Sequence, residues 1–159
     1  MKNIRFEIKW AIVFLIVTLL WMAFEKSMGW HDELIADHAT YTNLYAIPAI
    51  LVYVFALQDK KKNFYNGQMT YKQSLVSGLI ITLIVALLSP FNQYLISTFI
   101  TPEYFQNIID YSVSNGIMSQ TEAEAYFSLK NYMLISVFGA AFMGLITTLL
   151  VSLFVRTRS

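Results

Sequence analysis

Apolar positions along this chain are gathered into four blocks that contain no Asp, Glu, Lys or Arg. The blocks cover residues 10–24, 39–58, 73–102 and 131–155, and Leu, Ile, Val and Phe dominate each. A helix needs roughly 20 mostly apolar residues to cross a hydrocarbon core, so the last three suffice by themselves. The first would be only about 22 Å long as a helix. It spans if Lys9 and Lys26 snorkel and the helix runs on towards Met28. Lys2, Arg5 and Lys9 before it also suit a signal peptide, yet Trp21-Met22-Ala23-Phe24-Glu25 offers no small-x-small cleavage site. The pattern predicts an uncleaved first helix and four spans, at about residues 8–28, 39–58, 73–99 and 131–155.

Between the third and fourth spans, about residues 102–130, the pattern changes to short amphipathic helices. Thr101-Pro102-Glu103 reads as a helix start, with Thr as cap and Pro in the first turn. Phe105, Ile108, Ile109 and Val113 form an apolar stripe that Asn115-Gly116 stops. Ser119-x-x-Glu122 is a capping box for a second helix carrying Ala123, Tyr126 and Phe127. Earlier, Asn66-Gly67 marks a turn and Thr70-x-x-Gln73 caps the third span. The fold class expected is an all-α integral membrane protein, a four-helix transmembrane bundle with an outer amphipathic helical hairpin between helices 3 and 4, forming one membrane domain over residues 1–159.

Charge then orients this architecture. Of 159 residues, 57% are hydrophobic and 13% charged. A soluble domain is roughly a quarter charged, so a soluble globular protein and a nucleic-acid binder are excluded. The N-terminal tail (Lys2, Arg5, Lys9), the middle loop (Lys60, Lys61, Lys62, Lys72) and the C-terminal tail (Arg156, Arg158) hold nine of the eleven basic residues. Their only acids are Glu7 and Asp59, whereas the other two loops hold the remaining eight acids with Lys26 and Lys130. By the positive-inside rule both termini are cytoplasmic, and the lysines need no role beyond setting topology.

Two ladders of small or compact residues recur at four-residue spacing. They are Ser74, Gly78, Thr82, Ala86 and Pro90 on the third span, and Ser136, Ala140, Gly144, Thr148 and Ser152 on the fourth. Such ladders let helix backbones approach closely in lipid, so these two helices are expected to pack, within one chain or between two. Pro90 removes a hydrogen bond to the Ala86 carbonyl and predicts a kink, with Thr82 or a neighbour satisfying the freed group. Pro48 predicts something similar in the second span.

Candidate chemistry collects at the outer boundary. Glu25, Asn43, Asn92, Gln93 and Asn131 fall at similar depth and could line a shallow polar pocket. The first outer loop carries His31 and His38, but two turns of helix would hold them about 10 Å apart, too far to share one ion without a bend. No metal motif such as H-E-x-x-H occurs, so no metal site is expected. No ionisable residue falls mid-span, where proton relays and ion-coupled pumps place one. Cysteine is absent. No nucleophile elbow or phosphate loop is present, and neither an enzyme nor a cofactor is implied.

The chain resembles a bacterial family of four-pass membrane proteins catalogued as domain-of-unknown-function family 4199. The resemblance rests on Asn66-Gly67-Gln68-Met69-Thr70-Tyr71-Lys72-Gln73-Ser74 with Gly78 following, on Pro102-Glu103-Tyr104, and on Gly144 with Arg156 and Arg158. It implies a bacterial inner-membrane protein with cytoplasmic termini and no assigned activity. The expected role is a non-enzymatic accessory or assembly protein, meeting membrane lipids and a protein partner or second copy through the outer hairpin or the small-residue seam. The alternative is a small transporter, channel or lipid-binding protein using the outer polar ring.

Overall fold

In the computed structural model, which describes residues 4–157, seven α-helices follow one another and no strand occurs among the described residues. Lys2 and Arg158, counted above for topology, lie outside that range. The helices are α1 (Arg5–Ser27), α2 (His38–Tyr41), α3 (Ala46–Phe64), α4 (Tyr71–Leu95), α5 (Tyr104–Ser114), α6 (Gln120–Tyr126) and α7 (Leu129–Val155). Four runs are long and apolar enough to cross a membrane: Arg5–Ser27, Ile35–Phe64, Tyr71–Ile100 and Leu129–Val155. Their outward faces are apolar too: Phe154 is 83% exposed, and Phe138, Leu87 and Phe142 also point out. A soluble protein does not present so continuous an apolar surface.

Local chemistry sets the helix limits. Thr70 caps α4, accepting from the Gln73 backbone N–H (3.2 Å) while the Gln73 side chain accepts from Thr70 N–H (2.9 Å). Asn66 and Gly67, at φ +50° and +82°, turn the chain from α3 into α4, a conformation that favours these two residue types. Ser119 and Glu122 cap α6 reciprocally. Thr101 is not the cap of α5, which starts at Tyr104 without a side-chain cap. It is buried instead, and its N–H closes the π-turn Ile96–Ile100 by donating to the Ile96 carbonyl (2.8 Å).

Of the two helix prolines, Pro90 has its freed carbonyl satisfied by a neighbouring side chain as expected, and Pro48 departs from expectation. The Ala86 carbonyl that Pro90 leaves free accepts from Ser89 Oγ (2.9 Å), not from Thr82. Pro48 sits in the first turn of α3, where a missing N–H is tolerated. The second span does not run as one regular helix from residue 39; short 3₁₀ turns at Ile35–Asp37 and Thr42–Tyr45 precede α3, which then extends to Phe64. That extension carries Lys60 into the bundle, where its ammonium meets Glu7 at 2.6 Å. Lys60 therefore has a packing role beyond loop charge.

α4 is the centre of the bundle, and α7 is its closest partner. Small residues explain the approach. A Cβ on Gly78 would lie 2.5 Å from Thr148 Cγ2, and one on Gly144 would lie 2.5 Å from Thr82 Cγ2. Hydroxyls fill the seam with hydrogen bonds: Ser74 to Ser152 (3.0 Å), Thr82 with Thr148 (3.3 Å) and with Tyr53 (2.8 Å), and Ser136 to Ser89 (3.2 Å). Around them pack Ala11, Ala56, Leu57, Met69, Ile81 and Val85. At the end carrying both termini, Thr157 and Met69 exchange hydrogen bonds at 2.8 and 3.0 Å. The opposite end carries α2, α5 and α6.

Candidate functional site

Moving from Gly144 towards the hairpin end, the contact of α7 with its neighbours loosens at Gly139 and Ala140 before Ser136 meets Ser89. A cavity of about 370 Å³ lies there between α1, α3, α4 and α7. Phe14, Val85, Ile50 and Met143 give it an apolar body, and nothing comes within 4 Å of where a Gly139 Cβ would stand. Ala140 lines the same space, while Ala86 is buried and Pro90 half-buried on α4.

Polar groups lie on its wall. Thr18 Oγ1 and the Tyr45 hydroxyl share a hydrogen bond at 2.5 Å. Asn43 donates to the Ala39 carbonyl (2.8 Å), and Gln93 donates to Ser97 Oγ (3.0 Å). Asn92 is 94% buried on the same wall. A side-chain amide on an otherwise apolar wall offers an occupant both a donor and an acceptor.

The five-residue polar ring does not form. Asn43, Asn92 and Gln93 share the cavity wall. Asn131 lies at the α6–α7 junction, donating to the Tyr126 carbonyl at 2.8 Å. Glu25 turns away from the cavity and is wholly buried in a cluster of its own.

That cluster follows from how α1 ends. Gly29, at φ +75°, lets its own N–H bond the Lys26 carbonyl (3.0 Å) and the Trp30 N–H bond the Glu25 carbonyl (3.2 Å). These paired bonds are the helix stop that a glycine favours, and they reverse the chain immediately after the helix. His31 is thereby folded back on Glu25, with Nε2 2.9 Å from Oε2. The 3₁₀ turn Ile35–Asp37 then returns His38, whose Nδ1 lies 3.7 Å from the same oxygen. The Trp21 indole N–H donates to the other carboxylate oxygen, Oε1.

The two imidazoles are 5.0 Å apart between ring centres, so the separation of about 10 Å expected for a helical loop does not hold. Tyr104 of α5 covers both rings at 5.1 Å. Burial holds its phenol well above the ordinary tyrosine range, and its hydroxyl turns to Tyr132 at 3.4 Å. Gly29 was the local signal that separates a reversed loop from a continuing helix.

Four helices of membrane-crossing length and composition, an apolar outer surface and a cleft between the helices are the features of a small polytopic helix-bundle membrane protein. Residues 9–157 match the family described as a protein of unknown function, DUF4199, and the chain belongs to it. Comparison with curated proteins and with solved structures gives no match.

Proposed function

We propose that this protein binds an amphipathic, lipid-like molecule in the cavity at the hairpin end. One observation carries the reading: a largely apolar space of about 370 Å³ with the side-chain amide of Asn92 on its wall. That combination suits a ligand with a hydrocarbon body and one polar group. The charge asymmetry of the loops supports termini in the cytoplasm and a bacterial inner-membrane location, with the cavity towards the outer leaflet. We read it as a binding protein and not an enzyme, because the cavity lining supplies amides, hydroxyls and apolar groups but no carboxylate, imidazole or amine. The seam offers little to a partner, since its small residues are taken up by α4–α7 contact within one chain.

The test is native mass spectrometry of the protein released from membranes in mild detergent. A bound lipid or lipid-like mass is expected on the wild type, and Asn92→Leu or Gly139→Leu should reduce its occupancy several-fold while the protein stays folded. An unchanged spectrum for both variants, or a wild type carrying partner proteins but no small molecule, would favour the accessory or assembly role instead.

A further inference from the structure

The cluster at the end of α1 is separate from the cavity and has a different chemistry. We propose that Glu25, His31 and His38 form a binding site for a divalent transition-metal ion of the Zn²⁺ kind. One ligand atom from each residue lies within 4.8 Å of the other two. Three ligands at 2.0–2.1 Å from a tetrahedral ion stand about 3.3 Å apart. The observed separations from Glu25 Oε2, 2.9 Å to His31 Nε2 and 3.7 Å to His38 Nδ1, bracket that edge. Two imidazoles and one carboxylate are the donor set of many zinc sites with a fourth position left for water.

A second observation points to a ligand. Among the described residues, the buried side-chain nitrogens and oxygens without a hydrogen bond are the Nδ1 atoms of these same two histidines. The His31 side chain is 5% exposed and that of His38 17%. An imidazole nitrogen desolvated without a partner is costly, and an ion between the rings removes the cost at His38 directly. At His31 the atom that faces the carboxylate is Nε2, so Nε2 is the ligating nitrogen and Nδ1 the ring's second one. An ion pair alone accounts for the arrangement less well. One protonated histidine would satisfy the carboxylate, yet a second imidazole is held against the same oxygen.

The surroundings match what metal sites need. Trp21 orients the carboxylate from behind through its indole N–H, leaving Oε2 to the histidines. Tyr104 closes the opposite side with its ring. A small cleft of about 90 Å³, lined by His31, Asp32, Glu103 and Tyr104 together with Lys26, borders the cluster at His31. Lys26 is tied to the Ile100 carbonyl at 2.6 Å, so its charge is anchored at the edge of that cleft.

The test uses the untagged full-length protein in mild detergent, stripped with a chelator and titrated with Zn²⁺ by calorimetry. One saturable site is expected, with His38→Ala weakening it by about 100-fold or more and Glu124→Gln, on the exposed face of α6, leaving it unchanged. Because Glu25→Gln or His31→Ala could disturb folding, the wild type carries an independent readout. Cobalt loading should give the intense visible bands of a tetrahedral ion, and zinc-edge X-ray absorption should report two imidazoles with one carboxylate. No saturable binding by the stripped wild type, full affinity in His38→Ala, or a bound zinc without imidazole neighbours would each overturn the proposal.

Discussion

Helix α1 carries a buried carboxylate near each end, Glu7 and Glu25, and the two are handled in opposite ways. Glu7 meets a fixed cation: Lys60 Nζ donates at 2.6 Å and Ser77 Oγ at 2.7 Å to the same oxygen. Both members of that pair are about 95% buried, and Lys60 also lies over the Phe6 and Phe64 rings. Glu25 meets two imidazoles, groups that can be neutral and still keep a lone pair. The first arrangement uses up its bonding capacity and clamps α1 to α3 and α4. The second leaves nitrogens over. Packing varies along the bundle as well: Gly78 of α4 is closed against Thr148, whereas Gly139 of α7 borders the cavity, and a separate cleft of about 430 Å³ borders Glu7 and Lys60. A carboxylate satisfied by an ammonium therefore marks structure here, and one satisfied by imidazoles marks ligand capacity.

Breaking the clamp should have the largest effect. Lys60→Met leaves Glu7 buried without its cation, and unfolding in detergent should show a loss of about 3–5 kcal/mol, much of it restored in the double variant Glu7→Leu/Lys60→Met. In metal-free protein, His38→Ala should cost about 1 kcal/mol, because Glu25 keeps Trp21 and His31. Equal losses at the two ends would erase the distinction.

The contrast in packing can be sharpened with two glycines. Gly78→Ala drives a methyl into Thr148 and should destabilise by about 1–3 kcal/mol. Gly139→Ala enters open space on α7 and should be neutral or stabilising by up to about 1 kcal/mol. The same unfolding measurement serves both.

The smallest effect is expected outside the bundle. The Ser119 hydroxyl and backbone N–H hold the Glu122 carboxyl below its usual range. A depressed carboxyl stabilises the folded form above its unfolded pKa of about 4.5 and loses that contribution as pH falls through the folded value. Amide exchange at the start of α6 should accelerate, relative to the rest of the chain, on going from neutral pH to below that range. In Glu122→Gln this pH dependence should disappear.

Features governed by near neighbours were legible before any coordinates. The four apolar blocks became the four long helices, Thr70 with Gln73 and Ser119 with Glu122 capped α4 and α6, and Asn66-Gly67 made the turn. Each rests on interactions reaching three or four residues, or on a backbone angle that one residue type favours. The candidate polar residues were legible as polar and near the outer boundary, but not as neighbours. Asn43, Asn92 and Gln93 line one cavity, while Glu25 and Asn131 do not. Thr101 misled because capping chemistry can equally close a π-turn.

The sequence by itself determined the helices, their caps and the compositional case for a membrane. Only the tertiary structure decided which polar groups meet. Lys60 reaches Glu7 across 53 positions, and the packing of the helices that makes them meet leaves no trace in local pattern. His31 and His38 come together because Gly29 reverses the chain and a 3₁₀ turn brings it back, replacing a helical rise with a fold. The cavity is likewise a property of what four helices fail to fill together. Local terms act along the chain and can be read from it; partners that meet across the bundle depend on how whole helices are rotated and placed against one another.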